Sequence, residues 1–265
     1  MITAASNSRI KRLVQLNQKA KARRSEDVFL VEGVKMFLEA PPEKLKEVYV
    51  SESFLERCTC REALERTGYE VVSDSLFAKI SDTCTPQGIL CVVEQFHYNM
   101  KKVLQKENPL LLVLENIQDP GNLGTMLRTG EGAGVDGVIM SRDTVDLYNP
   151  KVIRSTMGSI YRVPFVYTDH LGETIAELKA AGISVYAAHL KGKQWHTAPS
   201  YRGGSAFLIG NEGNGLKEET ADMADAYIRI PMEGKVESLN AAVAAAVLMY
   251  EAQRQRMQGQ GTDRD

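Results

Sequence analysis

The chain has 265 residues and a formal net charge of −2, from 32 basic and 34 acidic side chains. Hydrophobic residues at 43% and charged ones at 25% match a globular composition, which excludes wholesale disorder. No uncharged apolar run approaches the roughly 18 residues of a membrane span, and the N-terminal stretch lacks the basic-then-apolar order of a signal peptide, so a cytoplasmic location without a membrane partner is expected.

The small net charge hides an asymmetry. Residues 1–106 carry 17 basic and 14 acidic side chains, net +3, whereas residues 107–265 carry 15 and 20, net −5. Arg9, Lys11, Arg12, Lys19, Lys21, Arg23 and Arg24 all precede the first acid, Glu26. Such a run reads either as an electrostatic footprint for phosphates or as a solvated helix face. It lies on a predicted helix capped by Ser6, whose apolar side is Ile10, Leu13 and Val14.

Strands are predicted next at 28–31, 48–50, 69–72 and 89–93. A helix follows Glu32-Gly33 and stops before Pro41-Pro42, and another spans 54–67. Residues 1–95 therefore read as a small α/β domain. Residues 96–108 are polar and basic without clear periodicity, and read as a linker. From Pro109 onward, continuous apolar runs at 110–114, 137–140, 183–187, 206–209 and 227–230 alternate with helical stretches. Such runs suit strands buried on both faces of a parallel sheet covered by helices. An Ala-rich helix is expected over 239–257, and a frayed tail over 258–265. The second domain is placed at 109–265.

Cys58 and Cys60 are too close in sequence for the usual zinc-ligand spacing, Cys84 and Cys91 have no matching partner, and the four histidines form no constellation, so no metal is expected.

Three clusters at predicted strand ends carry the chemistry, where open α/β sheets bind ligands. The first contains Asp119-Pro120-Gly121-Asn122-Leu123-Gly124, followed by Arg128-Thr129. Asp119 and Pro120 signal a helix start, and an arginine there can hold a phosphate. The second is Gly210-Asn211-Glu212-Gly213-Asn214-Gly215. Its glycine spacing fails both the dinucleotide fingerprint and the P-loop. The third runs from Ile230-Pro231-Met232 to Ser238-Leu239-Asn240, with Ser238 placed to cap the terminal helix.

Together these clusters resemble the signature motifs of the SpoU-like (TrmH-type) ribose 2′-O-methyltransferases of the SPOUT superfamily: Asp-Pro-x-Asn-x-Gly-x-x-x-Arg-Thr, Gly-x-Glu-x-x-Gly and Ile-Pro-Met-x-Gly-x-x-x-Ser-Leu-Asn. The likeness covers about residues 109–255. Phe29-Leu30-Val31-Glu32-Gly33 and Thr85-Pro86-Gln87-Gly88 look like that family's ribosomal-protein-like substrate-binding domain. Gly130 stands where relatives often have Ala.

The resemblance implies an RNA-binding N-terminal α/β domain and a C-terminal parallel-sheet domain tied into a deep trefoil knot, whereas pattern alone gives an unknotted sheet. It implies methyl transfer from S-adenosyl-L-methionine to a ribose 2′-hydroxyl. Arg128, Asn122, Glu212, Ser238 and Asn240 would serve the reaction, and Leu208, Ile209, Gly210, Ile230, Met232 and Leu239 would hold the cofactor. A homodimer through the second domain is implied as well. Ribosomal RNA is the expected substrate. Transfer RNA, a catalytically inactive RNA-binding homologue and a different nucleotide enzyme remain the alternatives.

Overall fold

A computed structural model describes residues 1–259. By contacts the chain divides into two units. One comprises Met1–Phe96 with Asp146–Tyr161, the other His97–Val145 with Arg162–Asp265.

The first unit is built on a four-stranded sheet of β1 (Val28–Glu32), β2 (Leu45–Ser51), β3 (Glu70–Val72) and β4 (Ile89–Glu94), in the order β1-β4-β2-β3. β4 runs antiparallel to β1 and β2, and β3 runs parallel to β2. Ile10, Leu13 and Leu16 of the basic helix Ser8–Gln18 join Tyr49, Phe77 and Leu90 in its core. Asn7, not Ser6, caps that helix, accepting the amide of Arg9 at 2.8 Å. The helix predicted over 54–67 is two, Glu52–Glu56 and Arg61–Thr67, interrupted at the Cys58–Cys60 bend.

Residues 146–161, assigned from sequence to the second domain, group with this unit by contacts. The Tyr148 ring packs 4.7 Å from Phe29, and Tyr161 donates a hydrogen bond to the carbonyl of Met36 at 2.9 Å. Apolar and aromatic surface thus joins segments more than a hundred residues apart.

The second unit is a seven-stranded, wholly parallel sheet. Its strands are β5 (Leu110–Leu114), β6 (Gly137–Ser141), β7 (Phe165–Thr168), β8 (Ser184–Ala188), β9 (Gln194–Trp195), β10 (Ser205–Ile209) and β11 (Ala226–Arg229). The order is β7-β6-β5-β10-β8-β11-β9. The central strands β5, β6 and β10 are buried at every position, as their unbroken apolar runs require. β7 and β9 carry weaker apolar patterns and are not among the strands that the sequence predicts.

The predicted linker is not free. Its helix Met100–Leu104 buries Val103 against Leu111 and Val113 of the second unit. The terminal helix runs Ala241–Gly259, so Gln258 is helical, and residues 260–265 of the expected tail lie outside the described residues. Among the described residues no helix is long and apolar enough to cross a membrane, and all four cysteines are free.

Candidate active site

Strand β10 runs straight into the loop 210–216, and the glycines decide its shape. A Cβ on Gly210 would fall 2.1 Å from the amide nitrogen of Leu216, so only glycine lets the loop fold back there. Asn211 and Gly215 exchange two backbone hydrogen bonds of 3.0 and 2.9 Å. The Asn211 side chain accepts the amides of Gly213 and Asn214 and donates to the carbonyl of Asn116 at 2.8 Å. The loop is thereby fixed and presents Glu212.

Glu212 gathers the first cluster. Its carboxylate accepts the backbone amides of Gln118 (3.0 Å) and Asp119 (2.9 Å) and the side-chain amide of Asn122 (3.0 Å). Burial pushes the pKa of this carboxyl up, but the hydrogen bonds from Asn122, Asp119 and Gln118 outweigh it and hold the group below its usual range.

The helix Pro120–Ala133 starts where sequence predicts it, with Asp119 accepting the amide of Asn122 at 2.8 Å. The third cluster joins through Asn240, whose Nδ2 donates to Oδ1 of Asn122 at 3.0 Å. Asn240 Oδ1 accepts the amides of Ala242 (2.9 Å) and Val243 (3.3 Å), so Asn240, not Ser238, caps the terminal helix. Three clusters spread over about 120 residues thus meet in one hydrogen-bonded chain.

Next to this chain lies a cavity of about 270 Å³, at the lower edge of the roughly 300–1,000 Å³ range of small-molecule sites. Ile209, Gly210, Ile230, Met232 and Leu239 line it, with Ser238, Glu212 and Leu248. Leu208, expected among them, instead points into the core with Val113 and Val185, because alternate residues of a strand face opposite ways. Arg128 is exposed and does not line the cavity. Among the described residues its guanidinium has no hydrogen-bond or ion-pair partner, which leaves it available to a ligand.

The seven basic residues that precede Glu26 separate into three sets. Arg23 is 3% exposed. It donates to the carbonyls of Leu16 (2.7 Å) and Asn17 (3.1 Å) and pairs with Asp146 at 2.5 Å, so it serves the fold and does not face a ligand. Arg12 pairs with Glu26 and Glu47, and Arg9 with Glu70. Lys11, Lys19, Lys21 and Arg24 are exposed and unpaired among the described residues.

Sequence reasoning gives Glu115 no role. It is 4% exposed and accepts the amide of Lys217 (2.8 Å) and the hydroxyl of Thr220 (2.5 Å), fixing the far end of the loop. Its signal is an acid directly after an unbroken apolar run.

Residues 109–250 match the SpoU rRNA Methylase family, and residues 7–91 match an MRM3-like substrate binding domain. The 23S rRNA (guanosine(2553)-2′-O)-methyltransferase RlmP of Bacillus subtilis is 35% identical over 254 residues, covering 94% of this chain and 97% of that protein. The SpoU methyltransferase AviRb from Streptomyces viridochromogenes, solved in complex with AdoMet, superposes with a TM-score of 0.85 at 27% identity, covering 95% of this chain and 98% of that one. The AdoMet-bound rRNA methyltransferase from Sinorhizobium meliloti gives 0.83 at 30% identity, covering 96% and 97%. With a match over more than half its length, and a relative sharing over a third of its residues along nearly all of it, the chain belongs to the SpoU rRNA methylase family.

Proposed function

We propose that this protein methylates a ribose 2′-hydroxyl of ribosomal RNA, using S-adenosyl-L-methionine. The observation that carries the reading is the hydrogen-bonded convergence of Glu212, Asn122 and Asn240 beside a cavity walled by the third cluster. The residues present fit the cofactor. Ile209, Ile230, Leu239 and Leu248 offer apolar surface to a planar base, and the glycine-rich loop offers backbone donors and acceptors unobstructed by side chains. When bound, the cofactor supplies an electrophilic sulfonium methyl group.

The chain's own groups then handle the nucleophile. A ribose hydroxyl is weak while protonated and needs either a base or a stabilised developing alkoxide. Arginine stays protonated at any working pH, so Arg128 acts electrostatically: it draws the developing oxyanion and an RNA phosphate together, and the phosphate takes the proton. Glu212 and Asn240 orient Asn122, and Ser238 lies near the hydroxyl.

Lys11, Lys19, Lys21 and Arg24 of the first unit bind substrate phosphates, with Arg9 and Arg12 available once their surface pairs exchange. Arg23 is excluded by its burial. The RlmP relative supports 23S RNA over transfer RNA, and the reaction takes place where ribosomes are assembled, in the cytoplasm. A trefoil knot in the second unit and a ribosomal-protein-like fold for the first complete the reading. So does a homodimer, supported by Val243, Tyr250 and Met257, which stand seven residues apart on the terminal helix and are 49%, 49% and 64% exposed. Mapping ribose methylation across ribosomal RNA from cells with and without the gene tests the proposal. One site lost on deletion and regained on complementation supports it, and an unchanged map refutes it.

A further inference from the structure

The rim of the cavity carries an aromatic–cationic pair that the reaction scheme does not use. Trp195 is the chain's single tryptophan and is 45% exposed. It stands on the edge strand β9, opposite Arg229 of β11. The guanidinium of Arg229 lies 4.2 Å from the centroid of the indole ring. Arg229 also lines the cavity, with His189 and Leu190, whereas Trp195 lies just outside it.

The pair is rigidly mounted. The amide of His196 donates to the carbonyl of Arg229 at 2.9 Å, and the amide of His189 donates to that of Ile228 at 3.0 Å. A Cβ on Gly192 would come within 2.8 Å of the Ile228 carbonyl carbon, so the turn before β9 is pressed onto the β11 backbone. Lys193, two residues before Trp195, is exposed and unpaired among the described residues.

Resting on the RNA methyltransferase reading, we infer that Trp195 and Arg229 form a stacking platform for an unpaired base of the substrate RNA, next to the nucleotide whose ribose is methylated. Presenting a single 2′-hydroxyl to a cavity requires that nucleotide to leave its regular stack, which deprives a neighbouring base of its partner. Unstacked bases of RNA are held on aromatic rings and guanidinium planes, with little sequence preference because every base has a π-face. The accessible part of the indole supplies that surface. Arg229 covers the remainder and, together with Lys193, supplies positive charge toward the flanking phosphates.

Because Trp195 is the only tryptophan, its fluorescence reports on the platform alone. The experiment titrates the full-length protein, saturated with S-adenosyl-L-methionine, with protein-free 23S ribosomal RNA. It follows the excited-state lifetime of Trp195 while measuring RNA binding independently by filter retention. A shortened lifetime that tracks binding supports the inference. Trp195→Ala is expected to raise KM for RNA roughly five- to hundredfold, with cofactor affinity unchanged, and Trp195→Tyr to restore most of the loss. RNA binding without a lifetime change, or a Trp195→Ala variant with wild-type KM, overturns the platform and leaves the proposed function intact. No RNA binding at all overturns both.

Discussion

Asn240 donates from its side-chain amide to the side-chain oxygen of Asn122 at 3.0 Å. That bond has only one possible polarity. The Glu212 carboxylate can only accept, so Asn122 must turn its NH2 toward it. Asn122 therefore offers its oxygen to Asn240, and Asn240 in turn points its own oxygen at the first amides of the terminal helix. One negative charge sets the orientation of two amides and the start of a helix.

Asn122→Asp should break this chain at its centre. It removes the donor to Glu212 and sets two carboxylates side by side. A loss of about 1.5 kcal/mol in stability is expected, at the modest end for a charged hydrogen bond because the site is partly exposed. Cofactor affinity should fall as the loop loosens. Denaturant melts and calorimetry check both, and an unchanged variant would mean that the chain is incidental.

Acid should act through the same carboxylate. The folded-state pKa of Glu212 lies below its usual value, so its contribution is fully present above the unfolded pKa of roughly 4.3. It is lost as pH falls through the lower folded value. The prediction is that Glu212→Gln removes part of the acid-induced loss of stability that wild type shows below about pH 4, measured by denaturant melts at stepped pH; an identical pH profile in the two proteins would remove Glu212 from the acid response.

Arg128→Ala should abolish methylation while leaving cofactor affinity within about twofold, because the guanidinium touches neither the cavity wall nor the chain of amides. Single-turnover methyl transfer alongside calorimetry separates the two effects. Near-normal turnover would remove Arg128 from the mechanism.

Two kinds of basic residue should respond differently. Replacing Lys11, Lys19, Lys21 and Arg24 with Gln should weaken RNA binding and reduce its salt slope, by somewhat under one for each RNA phosphate left without its cation, with melting unchanged. Arg23→Ala should instead cost about 3 kcal/mol of stability, since it strands Asp146 and two helix-end carbonyls.

Two glycines offer an internal contrast. A Cβ on Gly130 meets Val135 at 3.4 Å and Met249 at 3.7 Å, ordinary contact distances. Gly130→Ala should therefore raise stability by up to about 1 kcal/mol, the mid-helix penalty of glycine. Gly210→Ala meets backbone at 2.1 Å and should abolish cofactor binding. Thermal melts and calorimetry of both variants test the pair.

Much of this is legible in the sequence, and what is not has physical causes. The buried strands announce themselves because a strand covered on both faces must be apolar throughout, as at Leu110–Leu114 and Ser205–Ile209. β7 and β9 lie at the sheet edges, are partly or wholly exposed, and so leave no such run. Both caps fall one or two residues from their predicted places, among neighbours of equal local aptitude. Ser238 and Asn240 differ only in which can also reach Asn122, a tertiary fact. Arg23 is indistinguishable by sequence from its six basic neighbours because its counter-ion is 123 residues away. Leu208 enters the cofactor set by motif position, although strand alternation beside Ile209 already argues that one of the two faces inward.

The return of residues 146–161 to the first unit also bears on how the protein is made. As the chain leaves the ribosome, Met1–Phe96 emerges well before Asp146 and Tyr148 are synthesised. Until then Arg23 has no carboxylate to meet it, and the ring of Phe29 lacks its cover from Tyr148. The amino-terminal unit cannot finish folding in order of synthesis. Its packing is completed only after about fifty residues of its successor are translated, so a nascent chain stalled once residue 100 is fully exposed should be more protease-sensitive than one stalled past the full exposure of residue 161.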